Sequence, residues 1–345
     1  MVELRLDEMT AVGTNTRRGN LLSIQPYMLP ADYTSADTLY AKLEGYLDAA
    51  RQAGWINPLT IAVFPEYIGT WLVVSGEDAA VYAADHIASG IRLMVMRRFF
   101  PFIKAFLTAK EKDRLTASVF RMQAARMASD YQAVFSELAK RFVLTIVAGS
   151  ILLPAPQVKE GEVVAGVGPL YNVTAVFKPD GKAHPKLSFK AFPIESELSF
   201  ITPASQDGLP VFETPAGKLG VLVCADGWYP QLYERLKAQG VDFVVVPSFA
   251  TGNGQWDIPW GGYNGALAPA DVNYKDVGYL TEGQAWRKYA LAGRLSQAGA
   301  RAGANVFLHG SLWDLGSDSG RSLIVNGAGL TETRSKEGAI LNLWL

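Results

Sequence analysis

The chain has 345 residues, 49% of them hydrophobic and 19% charged, with 32 basic against 33 acidic side chains and a formal net charge of −1. That length and apolar content support a large buried core and exclude a disordered chain. The even charge balance excludes the basic footprint of a nucleic-acid binder and favours a neutral or weakly charged partner.

The opening stretch "MVELRLDEMT" carries neither a basic n-region nor an apolar h-region. A single cysteine cannot form an internal disulfide, so a cytoplasmic location is expected. Residues 35–54 have helical periodicity and stop at Gly54, as a left-handed C-cap prefers. "LTIAVFP" (59–65) reads as a strand running into Glu66. Residues 73–130 hold no convincing strand and four of the seven methionines. They read as two or three helices inserted after the second strand, serving as a packed cap or a dimer surface. Membrane-surface docking of "MRRFFPFIKAFL" is the minor alternative. Arg92, Arg97, Arg98, Pro101 and Lys104 interrupt the apolar run 87–107, which excludes a spanning helix.

A helix is expected at 131–142, followed by strands at 142–153 and 171–177. The one Asn-x-Thr triplet, Asn172 to Thr174, falls inside an apolar run and reads as coincidence. "KPDGK" (178–182) is an Asp-Gly turn. Strands at 218–224, 241–247, 304–310 and 321–326 alternate with helices at 231–240 and 285–303. Strands this apolar are covered on both faces, so the alternation predicts a layered α/β protein. With no repeat or linker, residues 1–345 read as a single domain.

Cys224 closes the strand "KLGVLVC". A buried cysteine often serves only as a small hydrophobe, and as a nucleophile it would need a base, because a free thiol ionises near pH 8.5. There are three histidines, and of these only His309, at a strand end, is a candidate partner, with nothing local to support it. The same scarcity argues against a metal site, and no glycine-rich nucleotide loop occurs. Carboxylates remain. Glu66 follows Pro65 at the end of an apolar strand, where reactive groups of α/β proteins collect. The stretch "HPKLSFKAFPIESELSF" (184–200) sets Lys186, Lys190, Glu195 and Glu197 among apolar residues, which favours paired, partly buried charges.

Taken in order, "VFPEY", "KAFPIESE" and "GKLGVLVCADGWYP" resemble the nitrilase superfamily of carbon–nitrogen hydrolases. The resemblance covers roughly residues 20 to 330 apart from the insertion, and leaves the first 18 residues outside as an extension. Its Lys-x-x-Pro-x-x-x-Glu pattern falls on Lys190, Pro193 and Glu197; Lys186 with Glu195 is the fallback and needs a gap. The resemblance implies a four-layer α-β-β-α sandwich associating as a homodimer or higher homo-oligomer, with neither metal nor organic cofactor. It implies Glu66 as base, Cys224 as nucleophile, Lys190 and the Ala225 N–H as oxyanion donors, and Glu197 as the group that orients the lysine or assists water in the second half-reaction. The substrate would be a small-molecule amide or nitrile, cleaved through an acyl-thioester. Trp228 stands where many relatives carry arginine, which favours an apolar or aromatic substrate moiety, with Tyr67, Trp71, Trp228 and Phe249 as pocket walls. An N-acyltransferase that hands the thioester to an amine is an alternative expectation, and a non-catalytic scaffold is another.

Overall fold

The computed structural model describes residues 3–252 and 254–345. Two sheets lie face to face between layers of helix. The larger has seven strands in the order Leu6–Val12, Gly338–Trp344, Asn20–Gln25, Thr60–Val63, Thr145–Pro154, Leu170–Phe177 and Ser188–Phe189. The second has six, in the order Val211–Thr214, Gly217–Val221, Phe243–Ser248, Ala302–Phe307, Leu323–Asn326 and Gly329–Glu332.

Strand alternation sorts the core into three layers. Ile61 and Val63 meet Val221, Phe243 and Val245 between the sheets. Ala62 and Phe64, on the other face of the same strand, pack with Leu43, Leu47, Tyr131 and Phe135, which come from helices Ala36–Gln52 and Arg114–Phe142. Val244 and Val246 pack with Leu232, Leu236 and Trp286 from helices Pro230–Ala238 and Glu282–Tyr289. Both faces of the central strands are therefore covered, which is why they are apolar throughout, and the result is the expected α-β-β-α sandwich. Each buried Val, Leu, Ile or Phe among them stabilises the fold by about 1.5–3 kcal/mol relative to exposure.

Three segments depart from the sequence expectations. Within the N-terminal extension, Leu6–Val12 is a strand pairing in parallel with Gly338–Trp344, so the extension belongs to the sheet. The insertion contains four helices, Ala79–Tyr82, Ile87–Arg97, Phe99–Thr108 and Arg114–Phe142. The last of them absorbs the helix expected at 131–142. It starts where the Asp113 side chain accepts the Thr116 N–H at 3.0 Å and ends at Val143, which has a left-handed backbone.

The helix expected over 285–303 is broken at Ala290 into Glu282–Tyr289 and Leu291–Arg294, and Ala302 already begins a strand. The buried Arg294 accounts for the break: its Nε donates to the Tyr289 carbonyl at 2.7 Å and its two other nitrogens hold Asp271 at 2.7 and 3.1 Å. Among the described residues no helix is long and apolar enough to cross a membrane.

Candidate active site

Glu66 stands three residues beyond the strand Thr60–Val63, and a bulge in the neighbouring strand fixes its position. Pairing of Thr145–Pro154 with Leu170–Phe177 slips between Val147 and Ser150. Within the slip, Gly149 has φ +62 and approaches Pro65 so closely that a Cβ there would lie 2.0 Å from the Pro65 carbonyl oxygen. Only glycine fits. Around the bulge the Ser150 N–H donates to the Pro65 carbonyl at 3.3 Å, the Tyr67 N–H to Ser150 Oγ at 2.9 Å, and the Tyr131 hydroxyl to the Gly149 carbonyl at 3.0 Å.

The Glu66 carboxylate is 1% exposed, and its Oε1 accepts from Lys190 Nζ and Asn172 Nδ2, both at 2.8 Å. Lys190 directly follows the edge strand Ser188–Phe189. Its ammonium is also 2.9 and 2.7 Å from the two oxygens of Glu197. Glu197 accepts in turn from the Tyr67 hydroxyl and, at 2.8 Å, from the Ile194 N–H. One buried ammonium thus lies between two buried carboxylates.

Cys224 comes from the other sheet. The strand Gly217–Val221 ends, and Cys224, at φ +50, opens the short 3-10 turn Cys224–Trp228. The strands leading to Glu66 and Cys224 are therefore not neighbours in one sheet; they belong to sheets that face each other. Asp226 stitches the two loops together. Its carboxyl accepts the Ala191 N–H at 3.0 Å and the Phe192 N–H at 2.8 Å from the Lys190 loop, and the Val223 N–H at 3.3 Å from its own. Ser188 Oγ adds a donor to the Val221 carbonyl at 2.7 Å.

Burial dominates the electrostatics. It pushes Glu66 upward from the usual carboxylate range; the Lys190 ammonium opposes that rise and the Glu197 charge adds to it. Burial also drives the Cys224 thiol well up, with the Glu66 charge reinforcing it and Lys190 opposing. For Lys190 burial works against the charge, yet Glu197 and Glu66 outweigh it and hold the ammonium protonated. Asp226 is pushed up to about 7 by burial, against the pull of its backbone donors. The resting site therefore holds a neutral thiol beside a carboxyl of raised basicity, next to a permanent cation.

These groups open on a cavity of about 840 Å³. Glu66, Tyr67, Trp71, Lys190, Glu197, Cys224, Ala225, Trp228 and Phe249 all line it. The Tyr67 and Phe249 rings meet edge-on at 5.5 Å. Trp228 also stacks on Trp260 at 5.7 Å and meets Trp286 edge-on at 4.8 Å, within an aromatic cluster. Lys186 is exposed and outside the cavity, while exposed Glu195 reaches its rim. His309 is buried elsewhere, its ring nitrogens 2.5 Å from the Gly320 carbonyl and 2.9 Å from that of Lys336.

Sequence reasoning passed over Asn172, the second partner of Glu66. Its signal was a polar residue in an otherwise apolar strand, hidden by the Asn-x-Thr reading. It also passed over Phe120, Phe200, Trp256 and Glu282, which line the cavity from distant segments. Among the described residues no three His, Cys, Asp or Glu side chains cluster as a metal would need.

A four-layer sandwich whose facing sheets bring a thiol, an ammonium and two carboxylates to one cavity has the construction of a carbon–nitrogen hydrolase. Residues 25–268 match the family described as Carbon-nitrogen hydrolase, and the chain belongs to it.

The chain is similar to the omega-amidase NIT2 of Danio rerio, 29% identical over 148 residues, which is 40% of this chain and 50% of that protein. It is similar to the deaminated glutathione amidase of Synechocystis sp. at 29% identity, over 39% of this chain and 51% of that one. The chain spans about half the length of these relatives. An amidase from Nesterenkonia sp. shares the fold with a TM-score of 0.57 at 16% identity, covering 96% of this chain and 93% of that one. A variant of that amidase carrying acrylamide on its active-site cysteine superposes at 0.55, with 15% identity and 94% and 92% coverage.

Proposed function

We propose that the protein hydrolyses a small-molecule amide through a thioester on Cys224, with Glu66 as base and Lys190 as oxyanion donor. The observation that carries this reading is the single ammonium of Lys190, held at 2.8 Å from Glu66 and 2.7 Å from Glu197 at the cavity that Cys224 also lines. A structural ion pair has no need of a thiol opposite it at a cavity mouth. The chain's likeness to an omega-amidase and to a deaminated glutathione amidase favours an amide over a nitrile.

In the first half-reaction Glu66 takes the thiol proton as sulfur bonds to the amide carbon. The negative charge arriving on the carbonyl oxygen meets Lys190 and the Ala225 N–H, donors preorganised in a water-poor site. The C–N bond then breaks as Glu66 returns its proton to the leaving nitrogen, so ammonia or an amine departs and an acyl-thioester remains. In the second, Glu66 takes a proton from water, hydroxide attacks the thioester carbon, and the sulfur leaves as thiolate and regains the proton. The group that alternates between acid and base works best with a pKa near the operating pH, and the upward push on Glu66 moves it that way. Glu197 and Tyr67 hold the ammonium on station.

The same reading takes residues 1–345 as one hydrolase domain that assembles as a homo-oligomer in the cytoplasm. Light scattering tests the assembly. The chemistry is tested by intact-mass measurement during turnover of an amide and nitrile panel in the presence of a free amine. Expected are an acyl adduct on Cys224, released ammonia and free acid as product. Undiminished turnover by Cys224→Ala refutes the nucleophile, and acyl-amine as the main product refutes hydrolysis in favour of transfer.

A further inference from the structure

A second cavity, of about 630 Å³, lies in the helical insertion. Its size falls within the range of about 300–1,000 Å³ that holds small-molecule ligands. Val74, Ile91, Val95, Phe102 and Val119 line it, and among the described residues Arg92 is the only charged side chain in its walls. Three further rings, Trp71, Phe120 and Phe200, belong to this cavity and to the one at Cys224 alike. Two of them hang directly from the site: Trp71 is four residues beyond Tyr67 and Phe200 three beyond Glu197. Phe120 stacks on Phe200 with centroids 6.3 Å apart, and Trp71 meets Trp313 at 5.8 Å. The two chambers therefore adjoin across aromatic side chains, one with the reacting groups and the other almost without polarity.

From this adjacency we infer that the insertion cavity houses an aliphatic chain on the acyl side of the substrate, so that the preferred substrates are amides of medium-chain fatty acids. The inference rests on the amidase reading above. The acyl side is favoured because the acyl group stays on sulfur through both half-reactions, whereas a chain on the amine would have to withdraw before water could enter. An almost purely apolar chamber offers a polar group no compensation for lost hydration. It rewards each buried methylene by roughly fourfold in kcat/KM, which is about 0.8 kcal/mol converted at room temperature.

The test measures kcat/KM for linear primary amides from butanamide to octanamide, alongside N-alkyl acetamides of matching length. Calorimetric binding of butanamide and octanamide to Cys224→Ala accompanies it. Four added methylenes are expected to raise kcat/KM, and the affinity of Cys224→Ala, by on the order of 10². Ile91→Trp, which fills the chamber, is expected to bring the octanamide-to-butanamide ratio down toward one, and Ile91→Leu to keep it. A flat series in an enzyme that does cleave these amides overturns the chamber assignment and leaves the amidase reading intact. A length dependence confined to the N-alkyl acetamides overturns the acyl-side assignment. Tight octanamide binding that Ile91→Trp abolishes, without cleavage of any amide, supports the chamber and refutes the amidase reading.

Discussion

Replacing Lys190 by methionine keeps the length of the buried side chain and removes its charge. Glu66 and Glu197, which share that ammonium at 2.7–2.9 Å, would then face each other without a cation. Removing one partner from a buried ion pair costs about 3–5 kcal/mol, because the desolvated charge left behind has no compensation. The site has a relief route, which is to bind one proton. Starting from an unfolded-state carboxylate near 4.3, taking up that proton at pH 7 costs about 4 kcal/mol, and at pH 5 about 1 kcal/mol. The sign follows from linkage. A carboxyl raised in the folded state gives stability that is full below the unfolded-state value and is lost as pH rises through the folded one. Lys190→Met is therefore expected to be about 4 kcal/mol less stable than the parent protein at pH 7, and about 1 kcal/mol less stable at pH 5. Urea unfolding of both proteins, followed by tryptophan fluorescence at the two pH values, measures the difference. A deficit at pH 7 below 1 kcal/mol, or one that does not shrink at pH 5, refutes the account of the site as one cation holding two charged acids.

Three more outcomes follow from the loops that carry these groups. Asp226, pushed up to about 7 from an ordinary 3.8, gives stability that is full below pH 4 and is lost by about 4 kcal/mol as pH rises to 7. Asp226→Asn should flatten that stretch of the stability-versus-pH curve, and parallel curves for the two proteins would count against it. Gly149→Ala places a Cβ against the Pro65 carbonyl in a left-handed backbone, and a loss of at least about 2 kcal/mol is expected. The fraction that still folds should show reduced turnover because Glu66 is displaced; a variant as stable and active as the parent contradicts the bulge argument. Tyr67→Phe removes the hydroxyl that donates to Glu197. Hydrogen bonds to charged groups are worth about 1.5–3 kcal/mol, so kcat/KM should fall about ten- to hundredfold, and an unchanged value would show that the hydroxyl does not hold the site.

The central strands were legible because both of their faces are covered. "LTIAVFP", "YNVTAVF" and "VDFVVVP" are β-branched and apolar wherever they lie between layers; Thr60–Val63 falls inside the first, and Leu170–Phe177 and Phe243–Ser248 each overrun theirs by one residue. The strand Leu6–Val12 was missed because it lies at the sheet edge with alternately exposed residues, so its composition looks like a tail. Asn20–Gln25, although fully buried, contains only one β-branched residue. The helix expected across 285–303 failed at Ala290, where tertiary demand from Arg294 overrides helical periodicity.

Within the site, the spacing of Lys190, Pro193 and Glu197 points to the lysine that lines the cavity, while Lys186 is exposed and outside it. No pattern in the sequence announced that Cys224 would take a left-handed backbone, or that a glycine 83 residues beyond Glu66 would aim that carboxylate. Both depend on contacts between chain segments that only the folded layers bring together.

The 29-residue helix Arg114–Phe142 spans about 43 Å as a single rod. Phe120 near one end walls both chambers, and Tyr131, three turns on, grips the Gly149 carbonyl that sets Glu66. A stiff rod cannot tilt over the chambers without dragging the carboxylate with it. The two shorter helices Ile87–Arg97 and Phe99–Thr108 wall the second chamber, meet at Arg98 and are tethered there by its ion pair with Glu77. The carboxylate is thus held by a helix that runs unbroken, while part of the apolar chamber is walled by helices that are cut at Arg98.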